Sequence, residues 1–98
     1  MINKVIAQRE KGLRYFEIAK KLSCAEAYVK RVIKEHLPEM YGEGACRRYA
    51  MIVHRMCDER KSYSEIAETL GLNKNTVWQA ACIGQDIHNR RTLAELRR

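Results

Sequence analysis

The chain repeats itself without a gap, and that repeat limits what it can fold into. The segment YFEIAKKLSCAEAYVKRVIK, starting at Tyr15, lies over YSEIAETLGLNKNTVWQAAC, starting at Tyr63. Tyr15/Tyr63, Glu17/Glu65, Ile18/Ile66, Ala19/Ala67, Leu22/Leu70 and Val29/Val77 then fall in step at an offset of 48 residues, and Val5 over Val53 extends the match upstream. An offset kept across so many apolar positions means that one unit is built twice. Within each copy the apolar residues recur three and four positions apart, which predicts helices rather than strands.

The second copy shows the unit most clearly, over Ser62–Cys82. Ser64 is the expected cap of a short helix carrying Ile66, Ala67 and Leu70, Gly71 supplies the turn, and Asn73–Asn75 open a second helix with Val77 and Ala80 facing inward. Ile66, Leu70, Leu72 and Val77 form the wedge between two crossing helices, and Ala67 is small because the second helix passes close over it. This is the pattern of a helix-turn-helix. The first copy has Ser23 in the place of Gly71, so its turn must either avoid positive φ or accept a modest cost.

What the wedge leaves outside carries the chemistry. In the second copy Asn73, Lys74, Asn75, Thr76, Trp78 and Gln79 stand at the leading end of a helix. Amide, hydroxyl and ammonium groups there suit base edges in a major groove, with Trp78 set against sugar-phosphate or a thymine methyl. The first copy offers Tyr28, Lys30, Arg31 and Lys34, a set suited to phosphates and to guanine. Glu26 near the front of that helix reads first as a residue favouring a helix N-terminus, and second as an acceptor for cytosine.

Charge agrees with a polyanionic partner. The 98 residues carry a formal net charge of +7 and a pI near 9.5, and the excess is concentrated in residues 1–38, with nine Lys/Arg against four Asp/Glu. Such a length leaves no room for a large enzymatic cleft. His36, His54 and His88 have no nucleophile or carboxylate grouped around them in sequence, so no catalytic residue and no cofactor is expected. His54 and Cys57 lie one turn apart near Cys46, but without a C-x-x-C pair they read as core residues, and no metal is expected. No apolar run is long enough for a membrane span, and the opening MINKVIAQRE has no signal-peptide core. A cytoplasmic location and reduced thiols at Cys24, Cys46, Cys57 and Cys82 follow as expectations.

With one proline and five glycines, the composition indicates an all-α chain. The expected architecture is two three-helix helix-turn-helix units in tandem joined by a helix. Residues 1–38 form the first unit, residues 39–84 the linker and second unit, and residues 85–98 a basic C-terminal tail. The stretch HLPEMYGEGA is the connection. Residues 45–60 read as one helix, with Tyr49, Ile52, Val53 and Met56 inward and Arg47, Arg48, Arg55 and Glu59 on the other side; Arg47 and Arg48 are candidate phosphate contacts. In the tail, Thr92 and Glu95 suit a capping box for a short last helix, and its four arginines suit an exposed or DNA-contacting end.

The segment SYSEIAETLGLNKNTV resembles the helix-turn-helix of bacterial regulators, including the promoter-binding part of sigma factors. Two such motifs 48 residues apart, joined by a helix, resemble the DNA-binding domain of the AraC family of transcription activators. The chain departs from that family after the second motif, where GQDIHNRRTLAELRR lacks the usual proline and tyrosine. The resemblance implies two recognition helices in successive major grooves and a role at promoters. A small regulator of a phage or mobile element fits the size equally. The expected function is thus sequence-specific binding of double-stranded DNA in transcription regulation. Two rivals stand beside it: an adaptor or inhibitor acting on RNA polymerase or another regulator, and the DNA-binding part of a recombination system.

Overall fold

Each copy of the repeat becomes three helices, and a further one-turn helix precedes the second set. In a computed structural model describing residues 1–97, α1 (Ile2–Glu10), α2 (Tyr15–Leu22) and α3 (Glu26–His36) are followed by a single 3-10 turn at Pro38–Met40. Then come α4 (Ala45–Arg48), α5 (Ala50–Asp58), α6 (Tyr63–Leu70) and α7 (Lys74–Leu96), with no strand among the described residues. The protein is all-helical and forms a slab of 36 × 36 × 18 Å.

Most equivalent positions are buried alike, the exception being Tyr15, 5% exposed, against Tyr63, 41% exposed. Val5 and Val53, Ile18 and Ile66, and Val29 and Val77 are all fully inaccessible, and Ala19 and Ala67 are each 8% exposed. Fully burying a valine or isoleucine side chain is worth roughly 1.5–3 kcal/mol, so these pairs account for much of what holds each half together. The turns match as well. Gly12 and Arg60, 48 residues apart, both take positive φ (88° and 65°), as do Ser23 and Gly71 (54° and 69°). Their closing hydrogen bonds are also duplicated: Cys24 N donates to Ala19 O at 3.0 Å, and Leu72 N to Ala67 O at 2.9 Å. Ser23 therefore accepts the left-handed conformation instead of avoiding it.

Three expectations from the sequence need correction. The cap of α6 is Ser62, not Ser64: Ser62 Oγ accepts from Glu65 N at 3.2 Å, and the Glu65 side chain reaches back to Ser62 in a capping box. Residues 45–60 are not one helix. Tyr49 separates α4 from α5 with φ −98° and ψ 7°, and the slip in phase leaves Arg48 half-buried instead of on the outer side. The third concerns the tail, which is neither separate nor opened by a Thr92 cap, because α7 runs through Gly84 to Leu96.

Gly84 is a crossing point, not a stop. A Cβ built on it would stand 2.6 Å from the Ala50 carbonyl oxygen, so the missing side chain is what lets α7 lie against α5. Beyond the crossing, Ile87 is fully buried in the first core together with Val5, Ile33, Leu37, Met40 and Ala50, while Val53, Met56, Ile66, Val77 and Ala80 form the second. Two ion pairs tie the same stretch down. Arg90 Nη2 donates to Glu39 Oε1 at 2.8 Å and Arg91 Nη2 to Glu10 Oε1 at 2.6 Å, so these two arginines are engaged with the fold. Arg98 lies outside the described residues.

Candidate nucleic-acid interface

The N-terminal half of α7 presents most of the groups expected of it. Asn73 caps the helix, its Oδ1 accepting from Thr76 N at 2.7 Å, which commits that carbonyl to the fold, and Thr76 is half-buried. Lys74, Asn75, Trp78 and Gln79 are exposed, and their spacing sets them along one side of the helix, opposite buried Val77 and Ala80. Trp78 is 53% exposed, a large apolar surface to leave in water.

On α3 the four expected residues divide. Arg31 and Lys34 are exposed and have no carboxylate within ion-pair distance among the described residues. Each lies near an aromatic face, with Arg31 Cζ 5.5 Å from the Tyr28 ring centre and Lys34 Nζ 5.8 Å from that of Tyr41. Tyr28 itself is half-buried against the first core. Lys30 is half-buried too, 3.6 Å from Glu26, so its charge is partly spent within the helix.

The two arginines of α4 differ from each other. Arg47 is exposed and its Nη1 donates to Glu39 O at 3.1 Å. Arg48 is half-buried with its guanidinium 5.2 Å from the Tyr49 ring centre, and its Nε is buried without a hydrogen-bond partner among the described residues.

A residue not singled out from the sequence organises this region. Arg9, 1% exposed, donates to the carbonyls of Leu13 (2.9 Å), Met40 (3.1 Å) and Gly42, with the Tyr15 ring 4.3 Å from its Cζ. Tyr15 Oη in turn accepts from Gly42 N at 2.7 Å. Arg9 thereby fastens the connection after α3 to α1. The signal was present: Arg9 follows Val5 and Ile6 at helical spacing, on the buried stripe of α1. Burial pulls its guanidinium below the ordinary value, nearby Arg48 pulls the same way, and Tyr15 and Glu43 oppose them.

The Arg90 hydrogen bond holds the Glu39 carboxyl below the usual carboxylate range, and burial, followed by Asp58, pushes the Cys57 thiol up. Cys24, Cys46 and Cys57 are half-buried against the two cores, and Cys82 is exposed. Among the described residues no three His, Cys, Asp or Glu side chains are grouped to hold a metal ion. No helix is long and apolar enough to cross a membrane.

Comparison of the chain with protein-family models, with curated proteins and with solved structures finds no match.

Proposed function

We propose that α2–α3 and α6–α7 are two helix-turn-helix units through which the protein binds double-stranded DNA with sequence preference, regulating transcription. The observation that carries this reading is the pairing of the repeat's buried wedge with exposed, chemically different leading faces on α3 and α7. Arg31 and Lys34 on one helix supply phosphate contacts. Lys74, Asn75 and Gln79 on the other supply base contacts, Asn75 and Gln79 being of the type that reads adenine bidentately. A net charge of +7 is consistent with a polyanionic partner.

Selection of bound sequences from random duplex DNA tests the proposal, and one enriched motif is the expected result. If about six phosphates are neutralised, log K falls with log salt at a slope of about −5. A flat salt dependence with no enriched motif overturns the reading. A second reading, docking on RNA polymerase or another regulator, draws on the exposure of Trp78 (53%) and Phe16 (56%), and co-purification with polymerase in the absence of DNA binding favours it.

A further inference from the structure

The first half covers its own tyrosine. After α3 the chain turns back, and Met40 is buried in the first core with Tyr15, Ile33 and Leu37. Gly42 N donates to Tyr15 Oη at 2.7 Å, and the Tyr41 ring centre lies 6.2 Å from that of Tyr15. Arg9 holds the segment by the carbonyls of Met40 and Gly42, and Lys34 Nζ stands 5.8 Å from the Tyr41 ring centre. With residues 40–42 in place, Arg9, Tyr15, Ile33 and Leu37 are between 0% and 5% exposed.

The second half has the same seat without the cover. The counterparts of residues 40–42, 48 positions on, are residues 88–90, which stay in α7 and run on to the first half, where Arg90 meets Glu39. The counterparts of Arg9, Tyr15, Ile33, Lys34 and Leu37 are Cys57, Tyr63, Ala81, Cys82 and Gln85, and all five line an open cleft of about 250 Å³. Tyr63, Cys82 and Gln85 are exposed there, and Cys57 and Ala81 are half-buried. Cysteine in place of arginine also removes the guanidinium that lies 4.3 Å from the Tyr15 ring centre in the first half. Trp78, one turn before Ala81 and Cys82 on α7, extends the exposed apolar surface.

We propose that the Tyr63 cleft is a docking groove for one extended segment of a partner protein, with the chemistry of residues 40–42: an unbranched apolar side chain, an aromatic ring next to it and a backbone amide that donates to Tyr63 Oη. The first half supports this choice of occupant, because it shows an equivalent seat filled in that way. A second copy of the chain is not the source, since its own segment is already held by Arg9 and Tyr15.

The test is an NMR titration of the full, isotope-labelled chain with a capped peptide of residues 37–44, LPEMYGEG. Amide signals of Tyr63, Ala81 and Gln85 should shift, while those of Arg9 and Tyr15 stay, their seat being filled. A control peptide with serine at the positions of Met40 and Tyr41 should leave all of them in place. Tyr63→Phe should weaken binding about fivefold, as for one lost neutral hydrogen bond. Cys82→Lys, which installs the cation that Lys34 supplies in the first half, should tighten it about twofold to fivefold. Both residues are exposed, and the wild-type titrations decide even if a variant fails to fold. The proposal is overturned by unmoved cleft signals at millimolar peptide, by equal shifts with the serine peptide, or by shifts centred on the first half. Cleft signals that move with protein concentration alone assign the groove to a second copy and overturn it too. Nucleic acid takes no part, so a chain that binds duplex but not the peptide loses the groove alone, and the converse sinks only the DNA reading.

Discussion

Gly84 and Ala50 are in backbone contact where α7 crosses α5. A Cβ at Gly84 would stand 2.6 Å from the Ala50 carbonyl oxygen and 2.7 Å from His54 Cβ, and the first neighbour is main chain, which cannot swing aside. Helix propensity alone favours Gly84→Ala by about 0.8–1.0 kcal/mol, whereas overpacking opposes it by about 1–3 kcal/mol. We expect overpacking to win and Gly84→Ala to lower the melting temperature. A rise would mean that the two helices separate cheaply.

The turns make a prediction of the opposite sign. Ser23 and Arg60 hold positive φ that glycine holds in the other copy, at Gly71 and Gly12. An L-residue pays roughly 1–2 kcal/mol there, against which glycine loses roughly 0.5–1 kcal/mol of chain entropy. Ser23→Gly and Arg60→Gly should each stabilise by up to about 1 kcal/mol in urea unfolding. Gly71→Ala, with nothing within 4 Å of the added methyl, should destabilise by a similar amount through conformation alone.

Acid should loosen the docking of α7. Because the Arg90 hydrogen bond lowers the Glu39 pKa in the folded state, the pair's contribution is fully present above the ordinary value of 4.5 and is lost as pH falls through the lowered folded value. Arg90 is 46% exposed at its side chain, so the effect should stay below about 1 kcal/mol. Unfolding measured from pH 7 to pH 3 should show a smaller acid loss in Glu39→Gln than in wild type. Parallel curves would remove Glu39 from the acid response.

The two leading faces should fail differently on DNA. Asn75→Ala should cost about 1–3 kcal/mol at one half-site only, whereas Lys34→Ala should weaken all sequences alike. Asn73→Ala should act mainly through stability, since its Oδ1 caps α7. If both helices enter successive major grooves, footprinting should show two unlike half-sites about 10 bp apart, one helical turn, and a palindrome would count against one chain carrying both.

Local periodicity and the repeat were enough to determine that the chain is helical, where each wedge lies and which residue types its outer faces carry. Val5, Ile18, Val29 and their counterparts could be read because a constant offset preserves helical phase, and phase is a property of the sequence alone. Long-range contacts decided the rest. Gly84 looks like a breaker until α5 supplies a surface that only glycine can approach closely. Arg9 is buried because carbonyls 31 and 33 residues away converge on its guanidinium. At the candidate interface both ranges act. Asn73, Lys30 and Arg47 have the right chemistry in sequence, yet Thr76, Glu26 and the Glu39 carbonyl engage them in the folded chain. Helix formation alone brings Thr76 to Asn73 and Glu26 to Lys30, three and four residues apart, whereas Glu39 meets Arg90 across 51 residues only because the tertiary structure docks α7 there.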